Sequence, residues 1–295
     1  MWVTPSGAQI KSAGERLEDI RDRPDDFRLL ERMPLVAESV PTVFGERSGE
    51  DTTITFLDIE ATSLDVREAR IIELGMLRCR YSPEGRLVEI IDVFSGFEDP
   101  GMPIPREVTG LTGITDEMVH GERLDPDAVR GWLGRDPLVV AHNARFDRPI
   151  FEQRFPDMGD YRWACSLRGI PWSMMGYGSA SLPLLLEQEG WFFEAHRAHT
   201  DCLAVSWMLH SVPGTLGHLL DSIADRAKVT ASGNTYPVKE SLKERGYRFD
   251  GAKKHWTRII PLSGLDQEMD FLGRMSYGGV IAGHERVTAR TAFKE

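Results

Sequence analysis

The chain has 295 residues, 41% hydrophobic and 27% charged, with 28 glycines and 17 prolines; this near-average globular composition excludes wholesale disorder, collagen and coiled coil. At roughly 100–200 residues per domain it has room for two domains, or for one with large appendages. The formal net charge of −11 counts against a partner made of phosphates unless metal cations intervene, and no apolar run reaches the ~18 residues needed to span a membrane.

The opening stretch, MWVTPSGAQIKSAGERLEDIRDR, becomes charged before an apolar segment can form, so a secretory signal is not expected and a cytoplasmic location is. Cys79, Cys165 and Cys202 lack metal-ligand spacing and read as small buried hydrophobes in a reducing compartment. Residues 1–50 read as an N-terminal extension, helical from about Ser12 to Arg32 and then rich in turn formers.

From Thr53 the pattern changes. TITFLD, IIELGMLRCRY and LVEIIDVFSGF read as three consecutive strands, the last two joined by the turn SPEG. PGMPIPREVTGLTGITDEMV reads as a loop with a short helix at its end. A helix near Asp125–Leu133 leads into the buried-type strand PLVVA, and another helix begins close to Arg145. After a strand YRWACS and a glycine-rich loop, Ser181 is placed as an N-cap with Pro183 in the first turn of SLPLLLEQEG. A last helix is expected over about Asp201–Ser211. Strands that first meander and then alternate with helices make a mixed α/β sheet. A smaller unit begins near Pro213, with helices at about 215–227, 236–245 and 265–274 and a hairpin turning at Asp250-Gly251. The charge is split accordingly, −14 over residues 1–213 and +3 over residues 214–295.

Three short segments carry chemistry only when taken together. In FLDIE the two-residue period of a strand puts Asp58 and Glu60 on one face, where they repel unless a cation sits between them. In VVAHNARFD, Asn143 and Asp147 are four apart on a helix that starts where a strand ends, the usual ligand edge of an α/β sheet. In HRAHTDCLAVSWML, Asp201 opens a helix whose Leu203, Trp207 and Met208 can face the core, with His196 five residues earlier. Singly, each has a bland explanation: a surface acid pair, an N-cap with a solvated aspartate, and a first-turn acid that suits the helix dipole.

In this order the segments resemble the three motifs of the DEDDh 3′→5′ exonucleases, the group that includes the proofreading subunit of bacterial polymerase III, oligoribonuclease and RNase T. IIELG and PIPREVTGLTGITDEMV are similar to that family's connecting segments, and the resemblance runs from about Thr53 to Val212. It implies an RNase H-like fold over 51–213, with the N-terminal extension before it and a small α+β unit over 214–295 after it. It also implies metal ligation by Asp58, Glu60, Asp147 and Asp201. Hard Mg²⁺ or Mn²⁺ ions favour carboxylate oxygens, and two of them ~3.5–4 Å apart can clamp the attacking and leaving oxygens of a phosphodiester. His196 is the expected general base, since an ordinary imidazole titrates near pH ~6.5; His199 is its rival and is read as a loop residue. Arg197 stands where a related subclass has tyrosine. Glu73 is read as supporting or structural, and His142 is given no catalytic role. Ala61-Thr62-Ser63 departs from the Thr-Thr-Gly of many members, which bears on substrate preference; Ala61, Thr62, Asn143, Phe146 and Trp256 are candidate substrate contacts.

In the C-terminal unit LKERGYRFDGAKKHWTRII mixes cations with Tyr247, Phe249 and Trp256. That pattern suits a single-stranded nucleic-acid surface, or else the unit's own aromatic core under a charged face. The expected activity is release of nucleoside 5′-monophosphates from 3′ ends of single-stranded DNA, with two divalent cations and with a DNA polymerase as a partner. Exoribonuclease or oligoribonuclease-type activity on RNA is the alternative within the same chemistry, and a catalytically silent nucleic-acid-binding scaffold is the alternative outside it.

Overall fold

A computed structural model of the chain describes residues 12–35 and 42–294. The parts of the expected extension that fall on 1–11 and 36–41 lie outside the described residues. Strands β1 (Thr52–Ala61), β2 (Ile71–Tyr81) and β3 (Leu87–Phe97) form the antiparallel meander read from the sequence. Then β4 (Leu138–Ala141) and β5 (Arg162–Cys165) add in parallel beside β1. With Thr42–Val43 at the far edge, the six-stranded order is Thr42–Val43, β3, β2, β1, β4, β5. This is the mixed α/β sheet expected.

Alternation along β1 sorts its side chains between two cores. Ile54 and Phe56 pack under helix α4 (Ala198–Ser211) with Cys202, Leu203 and Met208. Leu57 and Ile59 pack on the other face with Val129 and Leu133 of α1 (Pro126–Leu133) and with Ile150 and Phe151 of α2 (Ala144–Arg154). By period 2, Asp58 and Glu60 continue the row of Ile54 and Phe56, on the α4 side of the sheet. β1 and β4 run parallel, so their carboxyl ends share one edge of the sheet. The three cysteines are buried and unpaired, as read.

Several boundaries differ from expectation. The helix begun at Ser12, which the Ser12–Glu15 capping box nucleates, ends at Asp22 and not at Arg32, because Pro24 follows and Glu31–Arg32 pair with Trp191–Phe192 as strands. The segment before Asp125 carries the short helix expected at its end, Asp116–Val119, and in addition an unexpected one, Arg106–Thr112. Ser181 precedes helix α3 (Leu182–Gln188) without a capping hydrogen bond from its side chain.

The C-terminal unit departs most. The helix expected over 215–227 stops at Ser222 (α5, Thr215–Ser222) and the chain turns into strand β6, Arg226–Gly233. Ala227, Val229 and Ala231 face a small core while Lys228, Thr230 and Ser232 face away, a two-residue period that overrides the helical reading. Helix α6 (Lys239–Glu244), the hairpin β7 (Arg248–Asp250) with β8 (His255–Pro261), α7 (Leu265–Gly273) and a further strand β9 (Val280–Val287) complete an antiparallel sheet in the order β7, β8, β6, β9. Trp256 and Tyr247 are 7% and 3% exposed in its core. The Trp256 indole N–H donates to Thr235 Oγ1. The proposed substrate contact at Trp256 is therefore corrected: the ring is spent on the fold, and only Phe249 of the three aromatics is exposed.

After β9 the chain returns to the first sheet. The Trp163 amide donates to the Ala289 carbonyl. Arg148, fully buried, donates to the carbonyls of Ala289, Arg290, Ala292 and Gly159 and to the Glu152 carboxylate. A buried guanidinium needs every donor satisfied, and here the last residues of the chain supply most of the acceptors. The C-terminal unit is thereby fastened beside α2.

Candidate active site

Four carboxylates from three elements approach one another at the carboxyl end of β1. Asp58 and Glu60 come from β1, Asp147 from the first turns of α2, and Asp201 from the first turns of α4. Oxygens of Asp58, Glu60 and Asp201 lie within 4.8 Å of one another, close enough to share a cation. Asp147 is 2% exposed and its Oδ1 accepts the Ile59 amide at 3.1 Å, which ties it to the strand between the first two acids. Asp201 is not the residue that opens its helix. α4 starts at Ala198, and Asp201 reaches back from its fourth position to accept the Arg197 amide at 3.2 Å and that of His196.

Two features bring α4 this close. Gly75 of β2, opposite Asp58 in the β1–β2 ladder, lies directly beneath the backbone of Ala198 and His199. Glu73, buried and opposite Glu60, accepts two hydrogen bonds from the Arg197 guanidinium at 3.0 and 3.1 Å and one from the Ala198 amide at 3.2 Å. His199 Nδ1 stands 3.7 Å away, an ion-pair contact beyond hydrogen-bond length. Burial would raise the Glu73 carboxyl, but His199, Arg197 and the amide outweigh it and hold it down at about 2. The charged Glu73 thus fixes the loop on which His196 sits in the left-handed region at φ +67°.

The four clustered acids respond in the opposite direction. Burial first, and then the charges of Asp201 and Glu73, push Glu60 up to about 7. Asp201 also rises to about 7, chiefly from burial, against the relief its amide donors give. Asp58 is raised by burial and by its acidic neighbours Asp201, Asp147 and Glu60, and Asp147 by burial in spite of the Ile59 hydrogen bond. Such a set repels itself when ionised and fits hard divalent cations.

A pH dependence follows. Each raised carboxyl keeps its proton in the folded metal-free protein at a pH where the unfolded chain has lost it. The stability these groups contribute is complete below the ordinary carboxylate range and is lost as pH rises to about 7. In EDTA, Tm is expected to fall between pH 5 and pH 8, and Mg²⁺ or Mn²⁺ to raise it more at pH 8 than at pH 6. A metal increment in Tm independent of pH would contradict this account.

The acids open into a cleft of about 810 Å³. Of the residues read as substrate contacts, Ala61, Asn143 and Phe146 line it, as does His196. Asn143 stands at the head of α2 without donating or accepting a side-chain cap. Thr62 is corrected: it is buried, its hydroxyl accepts the Arg70 amide, and it is not part of the lining. His142 also lines the cleft, but its ring bridges Ser166 Oγ at 2.9 Å and the Ala180 carbonyl at 2.8 Å, and burial lowers it to about 4. Leu64 and Leu111, both exposed, also belong to the lining. Sequence reasoning misses both, because single exposed leucines outside the apolar runs leave no periodic signal.

The fold and this edge define an α/β protein of the RNase H-like class, with an acidic cluster at the carboxyl ends of its central strands. The chain belongs to the RNase T exonuclease family, whose model matches residues 55–206. Its sequence is similar to PolC-type DNA polymerases III. One from Listeria innocua is 37% identical over 132 residues, 42% of this chain and 8% of the polymerase. One from Bacillus subtilis is 36% identical over 121 residues, 38% of this chain and 8% of the polymerase. The chain thus spans about 8% of the length of these relatives. A solved structure of exonuclease I superposes with a TM-score of 0.50 at 15% identity, covering 71% of this chain and 62% of that one, and shares its fold. Among the described residues no helix is long and apolar enough to cross a membrane.

Proposed function

We propose that the chain is a 3′→5′ exonuclease of the DEDDh type, acting on single-stranded DNA ends and releasing nucleoside 5′-monophosphates. The observation that carries this reading is the convergence of Asp58, Glu60, Asp147 and Asp201 on one cleft with His196 on its rim. Two Mg²⁺ or Mn²⁺ ions held by these acids would supply Lewis acidity there, lowering the pKa of a water and offsetting charge on the scissile phosphate. His196 accepts the proton of the attacking water on an imidazole nitrogen. Asp201, by accepting the His196 amide, and Glu73, through Arg197, hold that imidazole's backbone in place. Asn143 and Phe146, with Leu64 and Leu111, bind the terminal nucleotide by its edge and face. The new P–O bond forms from water, the bond to the 3′ oxygen of the penultimate nucleotide breaks, and that oxygen leaves with a proton as the new 3′ hydroxyl.

DNA is preferred over RNA in this reading because the similar proteins are DNA polymerases, and a DNA polymerase is the proposed partner. Residues 51–213 are assigned as the catalytic unit, 1–50 as an extension and 214–295 as an appended unit. The test is a 5′-labelled single-stranded DNA and a matched RNA, incubated with Mg²⁺ or Mn²⁺ and resolved on a gel. A ladder shortening from the 3′ end, faster on DNA, is the expected result; shortening from the 5′ end or no cleavage of either would overturn it. His196→Ala is expected to lose about 10²–10⁴-fold in kcat while keeping the metal-induced gain in Tm. Loss of that gain would move His196 from proton transfer to metal binding.

A further inference from the structure

A second depression adjoins the cleft. It measures about 560 Å³ and lies between the head of α2, the last residues of the chain and the β6–β8–β9 face turned away from the C-terminal core. On that face Lys228 of β6, Ile259 of β8 and Glu285 of β9 lie in register, next to the row of Thr230, Thr257 and Gly283. The head of α2 is the partition: Asn143, Phe146 and Asp147 line the catalytic cleft, while Arg145 lines the groove. A strand whose last nucleotide lies against Asn143 and Phe146 meets Arg145 next.

The lining is cationic in a chain that is strongly acidic. Arg145, Lys228, Lys253, Arg286 and Lys294 outnumber the acids Asp250 and Glu285 there. Lys228 pairs with Glu285 and Arg286 with Asp225, whereas Arg145 is exposed and makes no hydrogen bond or ion pair among the described residues. His255 brings to the same groove a buried Nε2 that has no hydrogen-bond partner among the described residues. Phe293 also lines the groove and packs against the sheet core beneath α2. The groove offers charges and hydroxyls with no row of stacking rings, which fits a sugar–phosphate backbone better than bases. Its walls are held together by the Arg148 anchorage of residues 289–292.

We propose that this groove binds the phosphodiester backbone of the single strand upstream of the nucleotide being removed. The C-terminal unit, whose aromatics are buried, contributes through this open sheet face. The assignment rests on the nuclease reading of the cleft. It accounts for the +3 charge of residues 214–295 and predicts sequence-tolerant, salt-sensitive binding that grows with strand length.

The experiment compares the full chain with Arg145→Gln/Lys253→Gln, from opposite walls, and with Arg86→Gln/Arg123→Gln, the same charge change elsewhere on the surface. Binding of 5′-fluorescein oligo-dT of 4 and 12 nucleotides is followed by anisotropy in EDTA over a salt series, and KM for both lengths is measured in Mn²⁺. For the wild type, affinity rises and KM falls about tenfold from 4 to 12 nucleotides. The groove variant is expected to lose that gain, and its slope of log K against log salt to flatten by about 1.4, at roughly 0.7 per phosphate contact on single strands. The control variant keeps both. A groove variant with the wild-type length ratio and salt slope, or a control that loses as much, overturns the proposal. Groove-dependent binding of the 12-mer without hydrolysis of either length would instead overturn the reading of the cleft and leave the groove standing.

Discussion

Asp147→Asn is expected to stabilise the metal-free protein and to abolish its hydrolysis. The amide is isosteric, and its oxygen can still accept the Ile59 amide that Asp147 Oδ1 accepts at 3.1 Å. What is removed is one negative charge from a buried set in which burial and mutual repulsion raise every member. Relief of that repulsion is worth ~1–2 kcal/mol, a Tm gain of several degrees in EDTA at pH 8. On the proposed reading the site loses one of its four carboxylates, itself 2% exposed, so activity should fall about 10³-fold or more and the metal-induced gain in Tm should shrink. Thermal scans with and without Mn²⁺, beside single-turnover rates, test both halves. A variant that is destabilised in EDTA, or that keeps more than a tenth of the activity, would show that Asp147 serves the fold and not the metal.

The acids are legible in the sequence because their chemistry and their spacing coincide. D-x-E on a strand has one meaning under period 2, and the structure sets Asp58 and Glu60 on the face that α4 covers. The meander is legible for the same reason, with β2 and β3 beginning and ending at the residues the apolar runs mark. What escapes has physical causes of three kinds. β6 goes unread, and its first residues fall within the expected 215–227 helix, because Leu219, Leu220 and Ile223 carry a helical pattern up to its edge and the alternation of Ala227, Val229 and Ala231 is muted by small side chains. Leu111 and the Arg106–Thr112 helix enter the cleft from a segment punctuated by Pro and Gly, and Leu64 from a short polar connection between β1 and β2, where periodicity carries no information about the site. The role of Arg148 depends on carbonyls about 140 residues later, and a carbonyl leaves no mark in a sequence. Trp256 shows the converse error: a cation-rich hairpin with three aromatics looks like a binding surface until the register puts Trp256 on the core side.

Gly75→Ala is expected to cost more than its single methyl suggests, in both rate and stability. A Cβ at this position would lie 2.3 Å from the Ala198 carbonyl carbon, 2.3 Å from the His199 nitrogen and 2.7 Å from the Ala198 oxygen. All three are backbone atoms of the first turn of α4, so no side-chain rotation relieves the contact, and strand and helix must part by about 1 Å to reach normal van der Waals separation. The displaced turn carries Asp201 and adjoins His196, while Asp58 is the ladder partner of Gly75 itself. An isolated glycine within a strand pattern, as in IIELG, marks such a close backbone approach. A shift of ~1 Å in catalytic geometry is worth about 10²-fold in rate, and overpacking of this kind costs ~1–3 kcal/mol. Gly217 of α5 is the control, since a Cβ there would meet nothing within 4 Å, and its alanine variant should be neutral or slightly stabilising. Measuring kcat and Tm for the two alanine variants side by side decides the matter. If Gly75→Ala retained wild-type kcat, the approach of α4 to β2 would be no condition of catalysis, and the placing of Asp201 and His196 would have to come from the Glu73–Arg197 pair alone.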